Sequence, residues 1–293
     1  MVVIHFIVNP ISGKGNHNLN ESYLRNFFSN ADFQIVVRYS KYKGHAIALA
    51  NEAVSLKPDY IVACGGDGTI NEVASALVNS DVLLGVIPVG SGNGLASNLG
   101  ISKNVQQALA VIKSGKRSSI DVGVVNEHYF FSNMGIGIDS MIIKKYSQSS
   151  KRSLFIYMKA AMSAAFEFIP KKAMVAYGSK LTTLTPFMLF ISNSNQMGYG
   201  MSLTPKASLD DGWLDLFVVP NLSFFQKLIL GYHVVSKNVT SFSKGTHTLI
   251  QSLKLEEPDT IFMDIQIDGE YHNLKTNKIH VSLIREGLKV IVP

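Results

Sequence analysis

Two short stretches hold residue types that could do chemistry. The first is VACGGDGTINEVASALVN, residues 62–79, in which an apolar run meets Gly65-Gly66-Asp67-Gly68-Thr69 and passes at once into a helical pattern. Glycine lets backbone N–H groups approach phosphate oxygens closely. A helix start just beyond adds unpaired donors and a positive dipole end. No lysine accompanies these glycines, and Asp67 stands where an anion would bind. As a plain helix-start acid it is favoured by about 0.3–1 kcal/mol. Charge logic gives it a second use. Mg2+ bridges carboxylates and phosphate oxygens, so Asp67 beside a Mg-nucleotide would help rather than repel. Thr69, Asn71 and Glu72 add polar groups within one helical turn.

The second stretch is DIQIDGEYHNL, residues 264–274. Strand alternation puts Asp264, Gln266 and Asp268 on one face, and Asp268-Gly269-Glu270 follows as a turn with two acids. By spacing alone this is a hairpin corner, because Asp-Gly is a strong turn signal. A third acidic cluster, ASLDDGWLDLF, carries Asp210, Asp211 and Asp215 and reads as a turn into a strand, with Asp215 toward solvent. Common alternatives are absent. VNPISGKG has Val8 where a Walker loop needs its first glycine and Gly15 where it needs a hydroxyl, no G-x-G-x-x-G occurs, and the eight histidines show no H-E-x-x-H.

The elements that must position these residues fall into two textures. Up to about residue 125, short apolar runs (VVIHFIVN, FQIVVRYS, DYIVAC, VLLGVIPVG) alternate with helical patterns (LNESYLRNFFSN, GHAIALANEAVSL, TINEVASALVN, NVQQALAVIKSG). Strands apolar on both faces and spaced by helices predict a parallel sheet covered on both sides. Glycine turns NPISGKG, GGDGT and GSGNG follow the first, third and fourth strands and so share the carboxyl edge, where open α/β sheets bind ligands. Three converging turns favour a nucleotide phosphate site. After Ser118 the chain turns strand-rich: SIDVGVV, HYFFSNMGIG, PFMLFISNS, GWLDLFVVP, TLIQSLKLE, TIFMDIQID, KIHVSLI and LKVIVP, with helices near 153–169 and 222–237. The polar run 144–153 reads as a mobile loop. The expected domains are 1–122, α/β, and 123–293, β-rich and antiparallel, with the last strand free to return to the first domain.

Composition sets the frame. A chain of 293 residues suits two domains, and 46% hydrophobic against 16% charged residues permits a sizeable core. The net charge of +6 suits an anionic ligand or a membrane surface. No basic run is interleaved with aromatics, so nucleic acid is not an expected partner. The lone Cys64 allows no intramolecular disulfide and fits a reducing cytosol. MVVIHFIVNP reads as a first strand rather than a leader. The longest weakly charged stretch, 153–169, is interrupted by Lys159 and Glu167 and falls short of the ~20 apolar residues of a membrane span. Membrane contact is therefore expected to be peripheral, on a cytoplasmic protein. A homodimer is compatible with this reading.

GGDGTINEV, together with NPISGKG and the later IPVGSGNG, resembles the diacylglycerol kinase catalytic superfamily, above all its soluble bacterial lipid kinases and the sphingosine and ceramide kinases. G-G-D-G-T alone is less specific, being shared with NAD kinases and phosphofructokinases. The likeness covers nearly the whole chain. It implies an N-terminal three-layer α/β nucleotide domain, a C-terminal antiparallel β-sandwich-like domain and an active site in the cleft between them. It also implies ATP and Mg2+. Nucleotide contacts would come from Gly65, Gly66, Asp67, Gly68, Thr69, Ile70, Asn71 and Glu72, from Ser91 and from Ser40, with Asn9 and the SGKG turn closing over the nucleotide. One departure is that diacylglycerol-type members read G-T-x-N-D where this chain has Gly90-Ser91-Gly92-Asn93-Gly94, a pattern more like the sphingosine and ceramide branch. The resemblance makes Glu270 the proton acceptor for a lipid hydroxyl, Asp268 its orienter or a Mg2+-linked partner, and Asp67 the third acid of the site. It places a structural Mg2+ at Asp211, with the carbonyls of Ser208 and Trp213. The helices near 153–169 and 222–237 would pack on the β-rich domain or wall an acyl-chain pocket, and Lys144, Lys145, Lys151 and Arg152 would reach anionic headgroups. The reading is an ATP-dependent lipid kinase acting on diacylglycerol or a related lipid alcohol. The alternatives are an NAD kinase-like enzyme, a small-polyol kinase and a catalytically silent nucleotide- or lipid-binding module.

Overall fold

A computed structural model of the chain describes residues 1–293 except 14, 16, 91, 150–152 and 198–200. The chain forms two compact units, Met1–Asp121 with Arg285–Pro293, and Val122–Ile284.

The first unit runs β1 (Val2–Val8), α1 (Glu21–Phe27), β2 (Phe33–Tyr39), α2 (His45–Ser55), β3 (Tyr60–Gly65), α3 (Asp67–Leu77), β4 (Leu83–Pro88), α4 (Gly94–Asn98), α5 (Val105–Ser114) and the start of β5 (Arg117–Val125). The strands pair in parallel in the order β2-β1-β3-β4, and the end of the chain's last strand adds beside β4 through Val290 and Leu84. β3 and β4 are buried at every residue, as strands covered on both faces must be. α3 buries Ile70, Val73, Ala74 and Leu77, the i, i+3, i+4, i+7 stripe of a helix lying on a sheet. This strand order has its switch point between β1 and β3, which puts the turns after those two strands side by side at the ligand-binding edge.

The second unit continues with β6 (His128–Phe130), β7 (Asn133–Gly137), α6 (Ile138–Ser147), α7 (Leu154–Glu167), β8 (Ala173–Tyr177), β9 (Lys180–Leu184), β10 (Pro186–Ser192), β11 (Leu214–Pro220), α8 (Phe224–Val235), β12 (Thr246–Ile250), β13 (Ser252–Glu256), β14 (Met263–Ile267), β15 (Glu270–Leu274) and β16 (Lys278–Ile291), whose end belongs to the first unit. An antiparallel sheet, β12-β11-β10-β7-β14-β15, faces a second layer formed by β13, β8, β9 and the start of β16. Leu189 and Ile191 of β10 share a core with Val175, Leu253, Leu255 and Val281 of that layer. Met188 and Phe190 point the other way, against Ile138, Ala164 and Leu230 of the helices. A period of two thus splits one strand between two cores. Among the described residues no helix is long and apolar enough to cross a membrane.

Several local expectations change. Residues 144–147 lie in α6, not in a loop, because Ile138, Ile143 and Tyr146 bury one face and leave the lysines outside. TLIQSLKLE divides at Gln251 into β12 and β13, which join different layers. KIHVSLI and LKVIVP fuse into β16, since Glu286 takes φ 50° with its N–H bound by Asp121 at 2.8 Å and does not end the strand.

Candidate active site

In the first unit the three glycine turns are tied directly to one another. Asn9 donates from Nδ2 to Thr69 Oγ1 at 3.1 Å, and Gly66 donates its N–H to Ser12 Oγ at 3.3 Å. Val89 N–H donates to Gly65 O at 2.9 Å. The approach is close enough to require glycine. A Cβ on Gly90 would stand 2.5 Å from Gly66 Cα, and one on Gly13, itself at φ +66°, would stand 2.3 Å from Val89 O. α3 begins at this junction, and its N-cap Gly66 supplies no side-chain cap. The first N–H groups of such a helix have no intrahelical acceptor, so the α3 N-terminus turns its donor end toward the switch point.

Asp67 has a partner within the protein. Its Oδ2 accepts Asn93 N–H at 2.8 Å and its Oδ1 accepts Gly94 N–H at 2.6 Å. The carboxylate therefore clamps the third turn to the second, and Gly94 contributes its backbone to the clamp. Glu72 turns away from the glycine turns. Its two oxygens accept Gly44 N–H at 2.9 Å and Ala46 N–H at 3.0 Å, capping α2, whose own N-cap is a glycine at φ 85°. Ile70 is a core residue with its N–H bound to Gly66 O at 3.0 Å. The Glu72 carboxylate and the Ile70 side chain both help to hold the unit together. Ser40 is buried beside the end of β1, its N–H on Val8 O at 2.9 Å. Asn71 is half-buried and accepts from Ser75 Oγ at 3.4 Å. Ser91 lies outside the described residues, as do Lys151 and Arg152.

In the second unit, β14 and β15 form a hairpin with the two-residue loop Asp268-Gly269, at φ 47° and 79°. Two positive φ values are what a type I′ turn demands and what Asp-Gly favours. Glu270, the first residue of β15, is half-buried. Asp268 is an anchor. Its carboxylate accepts Phe131 N–H at 2.9 Å, Ser132 N–H at 2.8 Å and Asn133 N–H at 3.0 Å, and its own N–H donates to Asn133 O at 2.8 Å. Gln266 braces the loop from below, accepting Gly269 N–H at 2.9 Å and donating to Asn133 Oδ1 at 2.8 Å. Beside it, burial pushes the Asp139 carboxyl up to about 7 against the opposing hydrogen bond from Gln266. Asp264 lies on the same strand. Burial raises its pKa, yet hydrogen bonds from Asn273, Tyr271 and Lys144 outweigh that and hold it below the usual range.

The third cluster is looser. Trp213 N–H donates to Asp211 Oδ1 at 3.0 Å, and Ser208 Oγ donates to Asp210 Oδ1 at 2.6 Å. Asp215 is half-buried rather than solvent-facing. Burial, and then the neighbouring Asp211 carboxylate, push it up to about 6. A carboxylate beside a half-buried carboxyl suits a divalent cation. Among the described residues no group of three or more His, Cys, Asp or Glu side chains could hold one, so backbone carbonyls would have to complete the shell, as hard cations accept. Of the residues expected to meet headgroups, Lys144 pairs with Asp264 at 3.0 Å and Lys145 with Glu167 at 2.8 Å. They border a cavity of about 490 Å³ with Met141, Phe168, Ile169 and Phe262. Sequence reasoning missed Asp139 and the bracing by Gln266. The available signal was an acid at the start of a helix inside an otherwise apolar run.

Residues 3–125 match the diacylglycerol kinase catalytic domain, and residues 132–282 match the YegS C-terminal NAD kinase beta sandwich-like domain. The chain belongs to the diacylglycerol kinase catalytic family. It is 28% identical over 300 residues to a diacylglycerol kinase of Bacillus subtilis, covering 98% of this chain and 95% of that one. It is 32% identical over 214 residues to a probable YegS-like lipid kinase of Klebsiella pneumoniae, covering 70% and 71%. A solved structure from Bacillus anthracis superposes with a TM-score of 0.82 at 22% identity, over 99% of this chain and 95% of that one, a likeness of fold.

Proposed function

We propose that this protein is an ATP- and Mg2+-dependent lipid kinase that transfers the γ-phosphate to the hydroxyl of diacylglycerol or a related lipid alcohol. The observation that carries the reading is the α3 N-terminus, without a side-chain cap at a switch point flanked by glycine turns, in a chain of this family. N–H groups at such a terminus suit phosphate oxygens. Glu270, on a hairpin turn held by Asp268 and Gln266, takes the proton of the lipid hydroxyl as its oxygen bonds to phosphorus and ADP departs. Asp211 and Asp215 would hold Mg2+, which supplies charge neutralisation when bound. Asp67 and Asp268 act mainly by positioning backbone, since each spends its charge on N–H groups of the chain. Peripheral membrane contact is supported by α7 and α8. Phe155, Met162, Phe166, Phe225 and Tyr232 are each more than 60% exposed, Phe166 packs on Phe224 at 5.6 Å, and such surfaces suit an interface with lipid.

The test offers diacylglycerol, sphingosine, ceramide, monoacylglycerol and NAD with labelled ATP in mixed micelles. Label is expected in one lipid and lost in Glu270→Gln. Label in NAD alone overturns the reading, and tight ATP binding without any turnover points to a silent module.

A further inference from the structure

We propose that α7 and α8 form one face that docks selectively on an anionic lipid bilayer, its apolar side chains entering the bilayer and a set of lysines meeting the headgroups. A bilayer is the partner because the lipid-kinase reading places the substrate there, whereas the face itself does not depend on that reading. Each helix is apolar on two sides. The inner sides are buried through Ala160 and Ala164 of α7 and Leu230 of α8. The outer sides repeat the helical spacing. Phe155, Met158 and Met162 stand at i, i+3 and i+7, as do Phe225, Leu228 and Tyr232, and all six are exposed. More than half of the large hydrophobic side chains exposed among the described residues fall within 154–169 or 224–235. A helix that is apolar all round requires apolar surroundings on both sides.

The two helices act as one surface. Phe166 packs on Phe224 at 5.6 Å. Lys227 of α8 donates from Nζ to Ala165 O of α7 at 2.7 Å and stands over the Phe187 ring, so its charge is spent on joining the helices. Charge then selects the occupant. Residues 153–172 and 221–245 carry six lysines and one acid, and that acid, Glu167, pairs with Lys145 at 2.8 Å. With Lys227 committed, Lys159, Lys171, Lys172, Lys237 and Lys244 remain, all exposed. A second copy of the chain would bring the same lysines and set like charges opposite one another, which opposes binding. A zwitterionic bilayer would offer them no net counter-charge. Anionic headgroups complement them, at about fivefold in affinity for each lysine near the surface, while the apolar stripes bury as those of interfacial helices do.

The experiment is vesicle flotation of the full chain, without ATP or acceptor lipid, on phosphatidylcholine alone and on equal parts phosphatidylcholine and phosphatidylglycerol. Wild type is expected to bind the anionic vesicles at least about tenfold more tightly and to lose that preference at ~1 M salt. Lys171→Gln with Lys172→Gln is expected to weaken binding about 25-fold, and Phe155→Ser with Phe225→Ser to abolish flotation. Both variants are expected to keep the wild-type urea midpoint, read by Trp213 fluorescence, because the replaced side chains are exposed; the wild-type preference tests the proposal even where a variant fails to fold. Equal binding to both kinds of vesicle overturns it, as does no flotation at all. A concentration-dependent dimer that is lost in Phe155→Ser with Phe225→Ser overturns it too and gives the face to a second copy. If wild type floats but phosphorylates no lipid, the kinase reading falls and the docking face stands. If it phosphorylates lipid in micelles without floating, the docking face falls alone.

Discussion

Replacing Asp268 with asparagine separates an anchoring role from a chemical one. In the folded protein Oδ1 accepts the Ser132 and Asn133 N–H groups and Oδ2 accepts that of Phe131. The amide of asparagine can keep its oxygen on the first two and must then turn Nδ2 toward Phe131 N–H, donor against donor. Hydrogen bonds to a charged group are worth about 1.5–3 kcal/mol and neutral ones about 0.5–1.5. Losing one charged bond and weakening two others comes to roughly 3 kcal/mol, a large share of the 5–15 kcal/mol typical of a domain. The single tryptophan, Trp213, belongs to the same unit, so its fluorescence in a urea titration reads the loss directly. The midpoint is expected to fall by about 3 kcal/mol divided by the measured slope. An unchanged midpoint with phosphorylation abolished would refute the anchoring assignment and return Asp268 to the chemistry.

Three further outcomes are expected. Asp67→Asn sets an amide against the Asn93 and Gly94 N–H groups and should cost about 2 kcal/mol while weakening ATP binding, read by urea denaturation and calorimetric titration. Glu72→Ala uncaps α2 and should lower stability by about 1 kcal/mol with KM for ATP within about twofold; a large rise in KM would mean that Glu72 meets the nucleotide. The Asp139 carboxyl, raised from 3.8 to about 7 in the folded state, keeps its proton over a range where the unfolded chain has lost it. Stability should therefore fall as pH rises from about 4 to about 7 and then level off, and Asp139→Asn should flatten that slope in denaturation series between pH 5 and 8.

Much of the frame was legible in the sequence because it depends on local rules. Parallel strands and helices announce themselves by period and by apolar runs, and β3, α3 and β4 fall where those patterns put them. The Asp268-Gly269 corner was readable for the same reason, since its positive φ values are a property of the turn. α6 escaped because its buried face is short and its lysines dominate the pattern. β12 and β13 escaped because a single residue separates strands bound for different layers.

The sequence by itself determined which acids exist, which turns carry them and that three glycine turns end parallel strands. Only the tertiary structure decided what each charge meets. Asp67 closes on the third turn, Glu72 caps a helix that begins with glycine, and Asp268 gathers three N–H groups from residues more than a hundred positions away. A carboxylate in a partly desolvated place needs donors, and spacing in the chain cannot say which will arrive. Glu270 owes its presentation to those partners, through a hairpin held by Asp268 on one side and by Gln266 on the other.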